Sequence, residues 1–244
     1  MCSCIIRAML YKYETHLHTK EASACASSQG KEYISVYKRL GYSGIFVTDH
    51  FFGGNTCIDR NLSWEERIEL YCSGYENALI EAEAQNKADG GDFKVFFGIE
   101  QTFDGDDYLI YGLDKSWLLS HREVEAMRHK ELFDAVNSVG GLMIQAHPFR
   151  LRGYIDAIHL NPRYVHGVET YNGGNNKKEN LLAELYAQFY GFPVTSGSDI
   201  HNISFALEEN EDGETKLGGM AFETPLESVA DYCARVKGRK QSLV

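Results

Sequence analysis

Short apolar runs alternate with amphipathic stretches along almost the whole chain. Apolar runs of about four to eight residues predict buried strands, and apolar positions spaced at i, i+3 and i+4 predict helices. The predicted strands are the run that ends near His16 and residues 44–50, 93–100, 108–113, 142–146, 167–171, 193–197 and 219–222. The predicted helices are residues 33–40, 63–87, a segment that begins after Ser120, and residues 177–190 and 226–236. This alternation predicts an α/β fold with a mostly parallel sheet.

Two of the predicted helices begin with a capping-box pattern. Ser63 precedes Glu66 by three residues, and Ser120 precedes Glu123 by the same distance. In this motif the serine hydroxyl accepts a hydrogen bond from the backbone N–H three residues on, and the glutamate accepts one from the backbone N–H of the serine. We therefore expect helices to start directly after Ser63 and Ser120.

Length and composition are those of a globular protein. The chain has 244 residues, of which 43% are apolar, and it falls within the single-domain range of α/β barrels. We therefore expect residues 1–244 to form one domain.

The net charge is −11, from 35 acidic against 24 basic residues. A broad positive surface for extended nucleic acid is therefore not expected. A small phosphorylated ligand stays compatible with this charge, because bound divalent cations reverse the local field of acidic ligands.

The six cysteines form no CxxC pair, and the closely spaced Cys2 and Cys4 lack partners at zinc-site spacing. A chain of this size does not need disulfides for stability, so we expect reduced thiols. The sequence contains no signal-peptide pattern and no apolar run near the ~20 residues that span a bilayer. We expect a cytoplasmic protein that does not enter the membrane.

Histidine and acidic side chains follow the predicted strands at their carboxyl ends. Side chains at i and i+2 of a strand share a face, so His16 and His18 point to one place. In parallel barrels, active sites gather at the carboxyl ends of the strands. We therefore expect seven residues, all of types that bind divalent metals, to meet: His16, His18, His50, Glu100, His147, Asp199 and His201.

A histidine after a strand can equally be a core or capping residue, so His50 or His147 alone would indicate little. The prediction depends on all seven residues meeting at one face. The four other histidines serve as a comparison, since we expect two to face solvent on a helix, two to precede a strand, and none to take part in chemistry: His121, His129, His159 and His166.

Together the motifs resemble those of the polymerase and histidinol phosphatase (PHP) superfamily of metal-dependent phosphoesterases. They occur in the family's order, and they are His16-x-His18, Thr48-Asp49-His50, Gly98-Ile99-Glu100, Ala146-His147-Pro148 and Gly197-Ser198-Asp199-x-His201. The resemblance implies a distorted TIM-like (β/α)7 barrel. It also implies two or three divalent metal ions, commonly zinc, manganese or iron.

The resemblance further implies how the ligands divide among the ions. His16, His18, Glu100 and Asp199 would hold the first ion. Glu100 would bridge to a second ion held with His147. In the same scheme a third ion would be held by His50 and His201.

The sequence departs from the family pattern at two positions. An Asp or His that often follows the HxH pair is absent, and Glu21 is the nearest acidic residue, so Glu21 is the candidate ligand there, with a solvated loop carboxylate as the alternative. A histidine that often follows the bridging glutamate is also absent. Asp107, Asp114 or water could take its place, which would shift the preference towards manganese or magnesium.

These features predict hydrolysis of a small phosphorylated substrate, most simply a phosphomonoester, by a metal-activated hydroxide. No side-chain nucleophile is required. Arg150, three residues after His147, is placed to clamp a phosphate, although an ordinary surface ion pair is the alternative. We expect Asn172 to be a second substrate contact, although a Gly/Asn-rich turn needs no ligand to explain it. The superfamily's substrates imply a phosphorylated metabolite, a nucleotide or a short oligonucleotide; oligomeric state stays open.

Two other functions fit parts of the pattern. Amidohydrolase-type barrels also use HxH on the first strand, but their bridging residue falls on a different strand. The PHP fold also occurs as a non-catalytic module of replicative polymerases. A degenerate module would be expected to have lost some of the seven ligands.

Overall fold

The computed structural model describes residues 10–153, 155–208 and 216–244, so Cys2 and Cys4 lie outside the described residues. Within these ranges the strands are β1 (Tyr11–Glu14), β2 (Gly44–Val47), β3 (Lys94–Phe97), β4 (Ile99–Phe103), β5 (Asp106–Tyr111), β6 (Leu142–Gln145), β7 (Gly167–Asn172), β8 (Val194–Gly197), β9 (Met220–Phe222) and β10 (Ser242–Leu243). The α-helices are α1 (Glu32–Arg39), α2 (Trp64–Asp89), α3 (Lys115–Ser120), α4 (His129–Ser138), α5 (Lys177–Tyr190) and α6 (Val229–Lys237). Short 3-10 helices cover Arg122–Ala126 and Ile203–Leu207. The chain is an α/β protein, as its alternating pattern predicts.

The strands form two sheets of five. The first has the order β10-β9-β1-β2-β3 and the second the order β4-β5-β6-β7-β8. Parallel pairing joins β1, β2 and β3, and it joins β6, β7 and β8, while the remaining pairs are antiparallel. Both sheets are therefore mixed, and the expectation of a mostly parallel sheet holds only for these two groups of three strands.

The two sheets meet beyond the ends of their strands. Only Gly98 separates β3 from β4, and single parallel bridges join Leu17 to Ile200 and His50 to Glu100. The strand pairs that the described residues make do not close into one continuous barrel. The bridges nevertheless bring together the segments that follow β1, β2, β3 and β8.

An antiparallel hairpin accounts for much of the departure from a parallel sheet. Strands β4 and β5 pair along their whole length around a tight turn at Asp104 and Gly105, whose φ angles are 53° and 91°. Asp-Gly is a preferred pair for such turns, because both central residues need positive φ. The apolar pattern alone predicts two separate strands and does not reveal this turn.

The capping-box prediction is confirmed at one helix and wrong at the other. Ser63 and Glu66 form both hydrogen bonds of the box at the start of α2. Ser120 instead ends α3, whose amino end is capped by Asp114, and a 3-10 helix follows. The next α-helix starts at His129, where Glu131 accepts a hydrogen bond from the N–H of Arg128. The local Ser-His-Arg-Glu pattern was overridden by these two neighbouring caps.

A buried aromatic cluster supports the first strand. The ring of Phe46 lies 4.8 Å from Phe96, 5.3 Å from Tyr111 and 4.6 Å from Tyr232, measured between ring centroids. The Tyr111 hydroxyl donates a 2.7 Å hydrogen bond to the carbonyl of Thr15. The core thus fixes the backbone directly before His16.

Among the described residues, no helix is both long enough and apolar enough to cross a membrane.

Candidate metal centre

Glu100 lies at the centre of a cluster of imidazoles. One carboxylate oxygen, Oε1, lies 3.0 Å from His16 Nε2 and 3.3 Å from His147 Nε2. The other, Oε2, lies 3.3 Å from His18 Nε2 and 2.8 Å from His50 Nδ1. The carboxylate is almost fully buried. Although burial acts to raise its pKa, electrostatic interactions with the imidazoles around it, that of His50 above all, hold the pKa of Glu100 well below its usual value.

Asp199 brings a second buried carboxylate to the same imidazoles. Its Oδ1 lies 3.2 Å from His18 Nε2 and 3.4 Å from His16 Nε2. Its Oδ2 pairs with the Arg150 guanidinium at 2.6 Å. Burial opposes ionisation, but Arg150 and His16 outweigh it and hold the pKa of Asp199 well below its usual value. Two ionised carboxylates therefore face one group of histidines.

The backbone at two of these residues is strained. His147 has a φ of 27° and Asp199 a φ of 53°, values that residues with a Cβ rarely adopt. Such conformations cost on the order of 1–3 kcal/mol, and they cluster at functional sites where the surrounding structure holds them in place. In this backbone conformation the side chains of His147 and Asp199 both reach the cluster.

The hydrogen bonds of His18 show that its Nε2 carries a lone pair. The Ser23 hydroxyl donates to Asp49 at 2.6 Å, so at 3.1 Å it can only accept from His18 Nδ1. Burial, with the charges on His201 and His50, holds the pKa of His18 well below its usual value, so the ring is neutral. Its Nε2 lone pair therefore faces the carboxylates of Glu100 and Asp199, and a cation between them satisfies all three groups.

His16 is held in the same way. Its Nδ1 lies 2.9 Å from Glu169 Oε1, a carboxylate oxygen that can only accept, so Nε2 is directed towards Glu100. Metal-binding histidines typically donate their other N–H to a carboxylate in this manner. Four buried atoms in the cluster have no hydrogen-bond partner among the described residues: His16 Nε2, His18 Nε2, His50 Nδ1 and Glu100 Oε2.

The residues present therefore fit divalent metal ions. Nitrogen and carboxylate atoms that lie within 4.8 Å of one another form four overlapping sets: His16, His18 and Glu100; His16, His147 and Asp199; His50, Glu100 and Asp107; and His18, His50 and His201. Mixed imidazole and carboxylate sets of this kind bind zinc, iron and manganese.

The structure brings together all seven strand-end residues, but it does not bring Glu21 to them. The Glu21 carboxylate accepts hydrogen bonds from the N–H of Gly30 at 3.2 and 3.3 Å and from Asn77 at 3.4 Å. Glu21 belongs to none of the four sets. Its side chain stabilises the turn before α1 instead.

Asp107 and Asp114 have separate roles. Asp107 belongs to one of the four sets, and its Oδ2 lies 3.8 Å from His147 Nε2. Asp114 caps α3 through a 2.7 Å hydrogen bond from the N–H of Trp117. Of the two residues that could replace the family's missing histidine, only Asp107 faces the cluster.

Sequence reasoning missed Cys25, which lies at the edge of the cluster. A cavity of about 570 Å³ opens over the centre, and Cys25, His50 and His201 line it together with Glu100, His147, Arg150 and Asp199. Although burial acts to raise it, interactions with the side chains of His201 and His50 lower the pKa of the Cys25 thiol to about 6. No metal-ligand spacing in the sequence marks this cysteine.

Arg150 and Asn172 lie in the site, with different exposure. The Arg150 guanidinium donates to Asn172 at 2.6 Å and to Asn175 at 2.9 Å, besides its ion pair with Asp199. It lines the cavity. Asn172 is fully buried and also donates to Glu169 at 2.9 Å. Arg150 can therefore meet a ligand, whereas Asn172 holds Arg150 and Glu169 in place.

Three further buried carboxylates organise the centre: Glu14, Asp49 and Glu169. None of them was among the predicted metal ligands. Glu169 also accepts from the N–H of His147 at 3.1 Å, so it connects two strand ends. Glu14 accepts from the N–H groups of His16 and Ser198, both at 2.9 Å, and so ties β1 to the segment after β8. The signal was present, because each carboxylate lies within or directly after an apolar strand pattern.

Comparison with solved structures shows a similar fold in two candidate metal-dependent phosphoesterases. A two-domain protein from Bacteroides vulgatus, which contains a predicted PHP-like metal-dependent phosphoesterase, is 16% identical with a TM-score of 0.67. That match covers 97% of this chain and 65% of the other, so this chain spans less than two thirds of its length. A candidate metal-dependent phosphoesterase from Bifidobacterium adolescentis is 14% identical with a TM-score of 0.52, covering 78% and 87% of the two chains.

A third solved structure is an amidohydrolase from Chromobacterium violaceum with bound sulfate and no metal. It is 14% identical, has a TM-score of 0.52, and covers 94% of this chain and 97% of its own. No protein-family model and no curated protein matches the chain in sequence. The structural matches support the resemblance to PHP phosphoesterases, and at this identity they show a common fold.

Proposed function

We propose that the chain is a metal-dependent phosphoesterase of the PHP type that hydrolyses a small phosphorylated substrate, most simply a phosphomonoester. The observation that carries this proposal is the convergence of unpartnered nitrogen and oxygen atoms around Glu100, beside the exposed part of Arg150. Residues 1–244 would form one PHP domain, and its two sheets would correspond to the distorted (β/α)7 barrel of that family.

The chain's own residues would hold the ions and orient the phosphate. Glu100 faces four imidazoles and so would be suited to hold two ions, and Asp199 and His18 would help to hold one of them. Divalent ions bound here would lower the pKa of a coordinated water and neutralise charge on the phosphate oxygens. Two ions are supported by the sets around Glu100, and a third by the set of His18, His50 and His201.

Arg150 is suited to orient the phosphate. Its guanidinium is held by Asn172, Asn175 and Asp199, so little side-chain entropy is lost when it binds an anion. A planar guanidinium can donate two parallel hydrogen bonds to one phosphate. The cavity of about 570 Å³ is of the size that accommodates a small molecule, which favours a metabolite or nucleotide over a macromolecule.

A substrate screen tests this proposal. Protein purified without added metal is analysed for its elements, then reloaded with the metal found and assayed for phosphate release across phosphorylated metabolites and nucleotides. We expect turnover that disappears on chelation and returns with the metal. Absence of phosphate release across the panel by metal-replete protein would contradict the proposal.

The amidohydrolase fold match supports a second candidate function, cleavage of cyclic amides or lactones by the same centre. Here Glu100, in β4 three residues after the end of β3, would occupy the bridging position, and this placement resembles the phosphoesterase pattern more closely. Including cyclic amides and lactones in the panel separates the two functions. Full metal content without turnover on any substrate would instead favour a non-catalytic module.

A further inference from the structure

Helix α5 presents an apolar stripe to solvent. Its inner face packs against β7, and Ala183, Tyr186 and Ala187 are buried there. The outer face of a surface helix normally carries polar side chains. On α5 it carries five large apolar side chains, each between 46% and 82% exposed, which we call the α5 stripe: Leu181, Leu182, Leu185, Phe189 and Tyr190. Across residues 180–190 the one charged residue is Glu184.

This concentration of apolar side chains differs from their exposure elsewhere on the surface. On α2 the exposed apolar side chains stand singly, Leu70 at 45% and Ile80 at 65% exposure. Scattered exposure of that kind is normal, whereas a contiguous apolar patch marks an interaction surface. On α5, Leu181, Leu185 and Phe189 follow one another at i, i+4 and i+8, so they form one continuous ridge.

We propose that the α5 stripe is the interface of a homodimer, in which α5 packs antiparallel against α5 of a second copy. A two-fold interface joins the same patch on both copies, so the patch must be complementary to itself. The ridge meets this condition, because Leu181 and Phe189 lie one turn before and one turn after Leu185. A two-fold axis beside Leu185 brings Leu181 of each copy to Phe189 of the other. Rows of side chains spaced by four residues pack into the grooves of a facing helix.

The charges at the ends of α5 suit this antiparallel arrangement. Lys177 and Lys178 occupy the first turn of the helix, where the positive end of the helix dipole disfavours cations. In the dimer these lysines lie beside the carboxyl end of the other α5, around Gly191, where the negative end of the dipole favours cations. The dimer therefore compensates an unfavourable placement of charge within each copy.

The size of the stripe also fits a dimer. The exposed parts of its five side chains amount to roughly 500 Å², since a large aromatic side chain buries ~150–250 Å². The exposed polar rim of Lys178, Glu184 and Gln188 brings the surface towards the ~800 Å² per partner of a standard interface. A membrane surface fits less well, because helices that lie on anionic lipid are rich in Lys and Arg, and this chain has a net charge of −11.

Sedimentation equilibrium of the whole chain tests the dimer. The inference is independent of metal content and phosphate release, so its failure and that of the proposed function are distinguishable. We expect the wild type to be a dimer. We expect Leu185→Glu to raise the dimer dissociation constant by at least about 100-fold, because it places a charge at the centre of the interface in both copies. The matched control is Ile80→Glu on α2, which should leave the dissociation constant unchanged.

A mixture of two variants separates a lost interface from a misfolded helix. Leu185→Glu and Leu185→Lys each place like charges beside the two-fold axis, whereas a mixed pair places opposite charges there. We therefore expect each variant alone to be a monomer and the mixture to form a one-to-one dimer. A monomeric wild type, a dimer that survives Leu185→Glu, or a mixture that stays monomeric would overturn the assignment. In the first case the α5 stripe would instead serve a different protein or a lipid surface.

Discussion

The five histidines of the metal centre and the four histidines elsewhere differ in what surrounds their ring nitrogens. In the centre, imidazole nitrogens converge on Glu100 and Asp199. Elsewhere the ring nitrogens meet separate partners: His159 Nδ1 pairs with Asp106 at 2.8 Å, while His166 Nδ1 accepts from the N–H of Met143 at 3.0 Å and its Nε2 faces Asn137 Oδ1 at 3.2 Å. Convergence on shared carboxylates, rather than histidine content, is what distinguishes a metal site.

His129 shows that a buried ring nitrogen without a partner does not by itself indicate a metal site. Its Nε2 is buried without a hydrogen-bond partner among the described residues, as are the nitrogens of the centre. The ring, however, lies 4.4 Å from Tyr108 and 5.5 Å from Phe103, measured between centroids, and forms no ion pair with a carboxylate in the part of the chain that is described. An unpartnered nitrogen in an aromatic setting is a packing feature, and it becomes a ligand only where anionic groups face it.

Removing the shared carboxylate is expected to have the largest effect. Glu100→Gln keeps the size of the side chain but removes the charge that four imidazoles face. We expect metal content to fall and phosphate release to drop by more than about 100-fold, beyond the 10–100-fold loss typical of residues that only orient ligands. The matched control is Asp106→Asn, which removes the carboxylate paired with His159 and should leave both values unchanged. Wild-type metal content in Glu100→Gln would contradict the assignment.

An intermediate effect is expected at Glu169, which contacts the ligands and not the ions. Glu169→Gln weakens the acceptor that faces His16 Nδ1 at 2.9 Å and so loosens the orientation of that ring. We expect metal affinity, measured by competition with a chelator, to fall about 10–100-fold while the fold persists. An unchanged affinity would show that the strand ends alone orient His16.

The smallest effect is expected at His166, outside the centre. Burial, with a contribution from Lys237, lowers the pKa of His166 from 6.5 to about 4, so the unfolded chain binds the proton first as the pH falls. The free energy of unfolding should therefore decline between about pH 6.5 and pH 4. His166→Asn, whose amide oxygen can replace Nδ1 as the acceptor for Met143, should reduce that decline in denaturant titrations of metal-free protein. An identical decline in the variant would show that His166 does not cause this pH dependence.

The sequence predicts the gathering of the seven residues better than it predicts the fold around them. The spacing of His16 and His18 and the position of Glu100 at the end of the apolar run of residues 93–100 are local features, which the sequence displays directly. Pairing between strands depends on turns: the Asp104–Gly105 turn makes a hairpin that the apolar pattern alone does not reveal.

The Glu21 prediction shows a second limit. Glu21 was selected by residue type and by its closeness to His18 in the sequence. The direction of its side chain depends on hydrogen bonds made across the fold, such as that from Asn77. The same loop reaches the segment after β8 through a 2.8 Å hydrogen bond from the N–H of Ser27 to the carbonyl of His201, a contact that spacing in the sequence cannot predict.

Elemental analysis of protein purified without added metal tests the central claim most directly. It is applied to the wild type, to a variant with His16→Ala and His18→Ala, and to a control with His121→Ala and His159→Ala, two histidines outside the centre. We expect the wild type and the control to carry the same divalent metal content and the His16/His18 variant to lose it. Equal metal content in all three proteins would contradict the proposed centre.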